Sequence, residues 1–266
     1  MILTDFSHIL TFAMLFIAAV FDLRSEKGDV PDVFAATAVI GGVVLHAAQS
    51  YMIGSWSPLI YSLSAGIVFS LYGWFAYWKG MWGGADAFAL SALGFGAPFM
   101  TLSLAGSVRQ GTSLIINLVL VASIYTIAFS AVRAYRSDGF MDRLRERLYE
   151  DRNRIFLELG LGVVVFGLLE FNSAVGMYGL IAGSILLFRF LKVVENHALT
   201  EEVSVEDLEG GEVLKGERIK GVTEDEIKEM EGTVQVMHGL RFVPVFPAAL
   251  LLTDAGFTLI KYFILL

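Results

Sequence analysis

The sequence contains no cysteine, and charged residues make up only 17% of its 266 residues. The lack of cysteine excludes structural disulfides and cysteine-ligated zinc, and it leaves the redox state of the compartment open. Apolar residues account for 56% of the chain, and its mean hydropathy is +0.66. Because these residues occur in long runs, they exceed what a soluble core of this size needs. The composition therefore predicts a multi-pass membrane protein.

The apolar runs predict the membrane helices. Most of them reach the roughly 17–25 residues that a helix needs to cross hydrocarbon. We expect an all-α polytopic membrane protein with about six to eight transmembrane helices. The last run contains two prolines and Asp254, which favours a broken helix. The eight runs cover residues 7–23, 33–54, 58–78, 85–106, 112–132, 155–171, 174–193 and 240–264.

A charged segment, 133–154, follows the fifth run. Met141, Leu144 and Leu148 lie on one side of it, so we expect an amphipathic helix on the surface of anionic lipid. Together with the runs, this segment divides the chain into several parts. They are a membrane core at 1–132, the charged segment at 133–154, an additional helical hairpin or kinked unit at 155–193, an acidic subdomain at 194–239 and a C-terminal membrane helix at 240–266.

The acidic subdomain, residues 194–239, predicts a small cytosolic α+β structure inserted before the last helix. Short apolar runs on either side of the glycine pair at 210–211 are typical of two strands joined by a turn. Thr223 and Glu226 have the spacing of a capping box, which predicts a helix over residues 224–231. A subdomain of this size is too small to be very stable alone, so we expect contacts with the membrane part to stabilise it.

The basic residues predict the orientation of the chain. With the N-terminus outside, twelve lysines and arginines in the connecting segments or at the end of the run 174–193 lie inside, whereas the outer connections carry only Arg109. Basic residues are retained on the cytoplasmic side of short loops. We therefore expect a multi-pass protein of the cell membrane with its N-terminus outside. Lys261 is a minor conflict with this orientation.

Two aspartates lie at the predicted inner ends of membrane helices. Asp22 ends the first run and Asp86 begins the fourth, so both are expected at one membrane depth on different helices. A carboxylate beside hydrocarbon is costly unless it is shielded or has a role. One ionised and one protonated carboxyl can together activate a water and protonate a scissile amide, without a metal. Aspartic proteases use such a pair of carboxyl groups.

Each aspartate also has an ordinary structural interpretation. Asp86 lies in the first turn of its predicted helix, where an aspartate is common as a cap or as a partner of the helix dipole. Asp22 is two residues from Arg24 and is able to form an interfacial ion pair with it. Gly83 and Gly84, which precede Asp86, leave room for an extended substrate backbone.

The order of these motifs resembles that of the archaeal prepilin and preflagellin peptidases, membrane aspartyl proteases of the GxGD type. In that family the first aspartate ends the first helix in a D-x-R motif followed by (V/I)-P-(N/D), which residues 22–24 and 30–32 match. The second aspartate follows a glycine motif, which residues 83–86 match. Residues 239–251 resemble the start of the family's last helix after its cytosolic domain.

The resemblance implies an aspartic endopeptidase that uses neither a metal nor another cofactor. It implies that Asp22 and Asp86 are catalytic, and that Gly83, Gly84, Ala85 and Arg24 belong to the motifs around the substrate. The substrates implied are type IV pilin-like or archaellin precursors, cut after a short basic leader at the cytosolic membrane face. The acidic residues of 195–231 offer charge complementary to such a leader. Membrane lipid is a further expected partner and nucleic acid is not, and the oligomeric state stays open.

The sequence departs from the family pattern in several places. Ala85 replaces the glycine before the second aspartate. Since a left-handed alanine costs about 1 kcal/mol or more, we expect Ala85 to be right-handed. Phe88 stands where relatives often carry a lysine, the loop after Asp22 is longer by about two residues, and the helices of 155–193 are additional.

Two other functions are compatible with membrane carboxylates. A presenilin or signal-peptide-peptidase relative would share the chemistry but cut within the bilayer; Phe21 stands where that family has a tyrosine. Residues 246–250 resemble its P-A-L element with one residue too many. A small transporter would use carboxylates as proton or cation sites, and it would show inverted repeats and carboxylates near mid-membrane. We see neither of these two features in the sequence.

Overall fold

The structure, a computed structural model, describes residues 2–25, 30–97, 104–168, 174–215, 221–237 and 239–256. Within these residues the chain is mostly helical and includes one antiparallel pair of strands. The helices are α1 (Ile2–Arg24), α2 (Asp32–Ile53), α3 (Ser57–Trp78), α4 (Gly84–Gly96), α5 (Leu104–Arg136), α6 (Phe140–Glu150), α7 (Arg152–Leu168), α8 (Ala174–Val193), α9 (Glu224–Lys228) and α10 (Val245–Asp254). The strands are β1 (Thr200–Ser204) and β2 (Thr233–Met237).

The chain divides into two compact units. The first unit comprises Met1–Tyr125, Glu209–Lys228 and Gly239–Leu266. The second comprises Thr126–Leu208 and Glu229–His238. The residues of the predicted acidic subdomain are thus distributed over both units.

Four helices among the described residues are long and apolar enough to cross a membrane. They comprise Asp5–Arg24, Asp32–Ile53, Ser57–Trp78 and Arg109–Arg136. Large apolar side chains on their surfaces are exposed, as lipid contact requires; Ile40 is 64% exposed and Leu71 68%. The predicted membrane character is therefore supported by four spans.

The fourth and last predicted runs form shorter helices than expected. α4 has 13 residues and α10 has 10, fewer than the roughly 17–25 of a span. Residues 98–103 and 257–266, which belong to the same two runs, lie outside the described part of the chain. The run pair at 155–193 forms α7 and α8, which contact each other. A count of six to eight spans is therefore not established by these helices.

In the first unit, α4 is almost wholly buried and contacts α1, α2, α3 and α10. Small residues allow this close packing. A Cβ atom on Gly94 would lie 2.8 Å from the backbone oxygen of Ala65 in α3, and one on Gly42 in α2 would lie 2.6 Å from the Cα atom of Gly96. Glycine at such contacts lets helix backbones approach each other within a membrane. The C-terminal half of α4 is therefore held by tight backbone packing.

Hydroxyl groups cap the C-terminal end of α4. Ser7 of α1 donates a hydrogen bond to the carbonyl of Gly96 at 2.6 Å, and Ser62 of α3 donates one to that of Phe95 at 2.6 Å. The last carbonyls of a helix have no partner within it. These bonds satisfy two of them inside the bundle, and they tie α4 to both neighbours.

α10 is held at its C-terminal end by polar contacts. His8 Nε2 lies 2.7 Å from Asp254 Oδ2, and the side-chain amide of Asn117 donates to Thr253 Oγ1 at 3.0 Å. Asp254 therefore pairs with the beginning of α1, whereas Asp22 lies at the end of α1. Asp254, a residue of α10, is therefore located near the end of α1 that is opposite to Asp22.

In the second unit, α6 follows α5 after a short turn, and the charged segment is helical as expected. Its apolar contacts differ from the prediction: Phe140 and Leu144 pack in a core with Phe190 of α8, whereas Met141 is 66% exposed. Arg189 of α8, which is 6% exposed, forms ion pairs with Asp151 and Glu158 in the same unit. Its Nε atom lies 3.2 Å from Asp151 Oδ2, and its Nη2 atom lies 3.0 Å from Glu158 Oε1.

The strands pair differently from the prediction. β1 pairs with β2 in antiparallel register, with Glu202 opposite Gln235, so the partner of β1 comes from beyond α9. Near the glycine pair, Gly211 donates to the carbonyl of Val222 at 2.8 Å. The predicted pairing of the first strand across the glycine pair at 210–211 is therefore wrong, and Ile219, part of the predicted second strand, lies outside the described residues. The apolar runs are too short to identify their partners, because strand pairing depends on contacts distant in sequence.

The predicted capping box is confirmed. The Thr223 N–H donates to Glu226 Oε2 at 2.7 Å, and the Glu226 N–H donates to Thr223 Oγ1 at 3.3 Å. The helix that it opens, α9, ends at Lys228 rather than at residue 231.

Candidate active site

Asp86 is fixed at the N-terminus of α4. Gly83 is the N-cap, with φ −72° and ψ 161°, and its N–H donates to Asp86 Oδ2 at 3.1 Å. The side chain of Asp86 is directed into the unit, since only 9% of the residue is exposed. Asp86 therefore does cap its helix, as the structural interpretation expects. The cap also aligns the carboxylate with the positive end of the helix dipole.

Asp22 lies in the last turn of α1 and is 3% exposed. Its Oδ2 atom accepts a hydrogen bond from the backbone N–H of Val243 at 3.1 Å. The guanidinium group that acts electrostatically on Asp22 is that of Arg241. Arg24 is exposed, and no ion pair joins it to Asp22 in the described part of the chain. The expected pairing of Asp22 with Arg24 is therefore not observed.

The two carboxyl groups lie close enough for Asp22 to act on Asp86 electrostatically. Their helices also share one small apolar cluster. Ala18 and Ala19 of α1 are buried there with Val243, and Ala85, the residue before Asp86, packs against them. The end of α1 and the beginning of α4 are thus in contact, as their predicted positions at one membrane depth require.

Ala85 lies in the first turn of α4 and has the right-handed conformation that was predicted. The methyl group of Ala85 contributes to the cluster just described, so this position favours alanine. The two preceding glycines are different. A Cβ atom on Gly83 would lie 3.4 Å from Asp86 Oδ2, and one on Gly84 would lie 3.8 Å from Tyr77 Cε2. These are ordinary contacts, so packing within the unit does not require glycine at either position.

Two polar residues near Asp22 were not identified from the sequence. The Tyr125 hydroxyl of α5 donates to the backbone carbonyl of Arg241 at 2.6 Å. The guanidinium of Arg241 in turn donates from Nη1 to the carbonyl of Leu23. The only signal for Tyr125 is a phenol within an apolar run, and Arg241 lies in the stretch that was matched to the family's last helix.

Aromatic side chains form one wall beside the two aspartates. Trp82, which precedes the glycine pair, lies 6.1 Å from Phe242 and 6.2 Å from Phe246 between ring centroids. Phe242 and Phe246 are 5.9 Å apart. Phe88 packs edge to face against Trp74, with ring centroids 5.0 Å apart. The surroundings of the carboxyl groups therefore combine hydrogen-bond donors with an apolar wall.

Metal-ligating side chains do not cluster within the described ranges: no group of three or more His, Asp or Glu residues is placed to hold an ion there. Comparison with known proteins gives no family assignment. No protein-family model matches the chain, and no curated protein sequence matches it.

Proposed function

We propose that the chain is a membrane aspartyl endopeptidase in which Asp22 and Asp86 are the catalytic pair. The observation that carries this proposal is the burial of two carboxyl groups from different helices, 3% and 9% exposed, within electrostatic range of each other. Isolated buried carboxylates are costly. Two of them in one low-dielectric site favour a shared proton, which is the state that aspartic proteases use.

The chemistry follows from that shared proton. The ionised carboxylate accepts a proton from a water molecule, which then attacks the carbonyl carbon of the scissile amide. The protonated partner donates its proton to the substrate as the tetrahedral intermediate forms. The amine leaves when it has gained a proton from the pair. The backbone N–H groups of Gly83 and Val243 keep both carboxyl groups oriented during these transfers.

The proposed substrates are precursors of pilin-like or archaellin type, which carry a short basic leader before an apolar helix. The support for this class is the resemblance in motif order together with the acidic character of residues 195–231. In the first unit, Glu209, Glu224 and Asp225 are exposed, and Asp225 pairs with Lys228 at 2.8 Å. Their negative charge is complementary to the lysines of a leader. The proposed site faces the cytoplasm, where such a leader is located before cleavage.

The decisive experiment is cleavage of a pilin-like precursor by the detergent-solubilised protein. We expect Asp22→Asn and Asp86→Asn each to abolish cleavage, because each removes one partner of the proton exchange. Asp254→Asn is the matched control, since it changes a carboxylate of α10 that contacts His8, near the opposite end of α1 from Asp22. Cleavage retained in either of the first two variants would rule out the catalytic pair.

Mass spectrometry of the products separates the proposed peptidase from a presenilin-like enzyme. We expect one cut between the basic leader and the apolar helix of the precursor. A cut inside the apolar helix would instead indicate proteolysis within the bilayer.

A further inference from the structure

We propose that residues 241–243, here called the Arg-Phe-Val clamp, set the separation of the two aspartates, and that Arg241 is its positioning residue. This inference rests on the proposed function, because it assigns a role in the same site. The clamp immediately precedes α10 and contacts the surroundings of both carboxyl groups.

On the side of Asp22, the clamp holds both the side chain and the helix that carries it. The Val243 N–H bonds Asp22 Oδ2 at 3.1 Å, while the Arg241 guanidinium bonds the carbonyl of Leu23. That carbonyl lies in the last turn of α1, where a helix supplies no partner of its own. One short segment therefore caps α1 and orients its aspartate.

On the side of Asp86, the clamp contacts the residues that begin α4. Phe242 packs against Trp82, with ring centroids 6.1 Å apart, and Trp82 precedes the Gly83 N–H that bonds Asp86. Val243 is buried in the cluster that also contains Ala85. The same three residues thus contact both helix ends.

Tyr125 anchors the clamp from α5. Its hydroxyl donates to the backbone carbonyl of Arg241 at 2.6 Å, and the guanidinium of the same residue bonds the end of α1. The charge of Arg241 also attracts Asp22. Because proton transfer depends steeply on the positions of the reacting groups, a small shift of either aspartate slows the reaction. The clamp therefore acts on catalysis through position, without touching the substrate.

The test compares kcat with KM in variants of the clamp. We expect Arg241→Gln to lower kcat by about 100-fold and Tyr125→Phe by about tenfold at an unchanged KM, as for a displacement of about 1 Å. The melting temperature should fall by only a few degrees, because each variant also removes one hydrogen bond. Arg241→Lys keeps a positive charge and a donor, so it restores part of the kcat. The matched controls are Arg145→Gln and Tyr135→Phe, exposed residues of the second unit.

A second measurement does not depend on activity. Since the chain lacks cysteine, spin labels can be attached specifically to Phe21→Cys and Met81→Cys, two exposed positions beside the ends of α1 and α4. We expect the label-to-label distance distribution to broaden in Arg241→Gln. An unchanged distribution, or kcat equal to that of the wild type, would overturn the clamp. A wild-type protein that cleaves no precursor would overturn the proposed function instead.

Discussion

The backbone N–H of Val243 donates a hydrogen bond to Asp22 at 3.1 Å, although the two residues are 221 positions apart in the sequence. The segment just before the last described helix of the first unit therefore completes a site that the first helix begins. The residues between them supply the second carboxyl group, on Asp86, and the phenol of Tyr125. A site assembled from such distant segments depends on the fold of the whole unit.

The glycine pair before Asp86 gives a first prediction. Gly83→Ala is compatible with packing, since its Cβ would lie 3.4 Å from the nearest atom. If a substrate backbone passes over this position, the added methyl group obstructs it, and we expect kcat/KM to fall about tenfold or more at an unchanged melting temperature. Peptide cleavage and thermal unfolding measure the two effects separately.

Gly94→Ala provides the contrasting control for that variant. Its Cβ would lie 2.8 Å from a backbone oxygen of α3, so we expect a loss of about 1–3 kcal/mol in unfolding free energy. If Gly83→Ala cleaved the peptide as fast as the wild type does, no substrate backbone would pass over Gly83.

Ala85 gives a second prediction, in which stability changes and kcat does not. Ala85→Gly introduces the residue of the family pattern, but it removes a methyl group from the cluster of Ala18, Ala19 and Val243. Glycine inside a helix also costs about 0.8–1.0 kcal/mol relative to alanine. We expect thermal unfolding to show a loss of about 1 kcal/mol or slightly more, with kcat retained. A rise in stability would mean that the methyl group of Ala85 destabilises the packed helix.

The sequence predicted those parts of the site that depend on local pattern. Apolar runs located α1 to α3 and the start of α4, and therefore brought Asp22 and Asp86 to one end of the helices. The spacing of Thr223 and Glu226 predicted the capping box, and the cost of a left-handed alanine predicted the conformation of Ala85. Each of these depends on neighbours within a few residues or on the length of a span.

The sequence did not predict the parts that depend on distant contacts. Tyr125 and Arg241 are 116 positions apart, and no periodicity indicates their hydrogen bond. The pairing of β1 with β2 failed for the same reason, because a short strand does not identify its partner. The short length of α4 was also missed, since its glycine-rich sequence is as apolar as that of a full span.

Salt dependence tests the role of the acidic surface. With a basic leader peptide, we expect KM to rise as ionic strength increases, because charges separated by more than about 8–10 Å are screened at 0.10–0.15 M salt. Glu209→Gln combined with Glu224→Gln should raise KM about two- to fivefold, since an exposed ion pair contributes about 0.2–1 kcal/mol.

Two controls accompany the salt experiment. A leader peptide with its lysines replaced by glutamine should show little dependence on salt. Glu146→Gln, an exposed carboxylate of the second unit, should leave KM unchanged. A KM that is equally sensitive to salt for both peptides would indicate a general effect on the protein rather than recognition of the leader.

The orientation of the helices can be tested in intact cells, again because the chain lacks native cysteine. Tyr51 at the end of α2 is 88% exposed, and Met81 between α3 and α4 is 63% exposed. α3 lies between them and is long enough to cross the membrane, so we expect them at opposite membrane faces. From the excess of basic residues at the end that carries Met81 and the aspartates, we expect Tyr51→Cys to react with an impermeant maleimide in intact cells. Met81→Cys should react only after lysis. The reverse pattern would place both carboxyl groups at the outer face, where a precursor still carrying its leader does not present the bond to be cut.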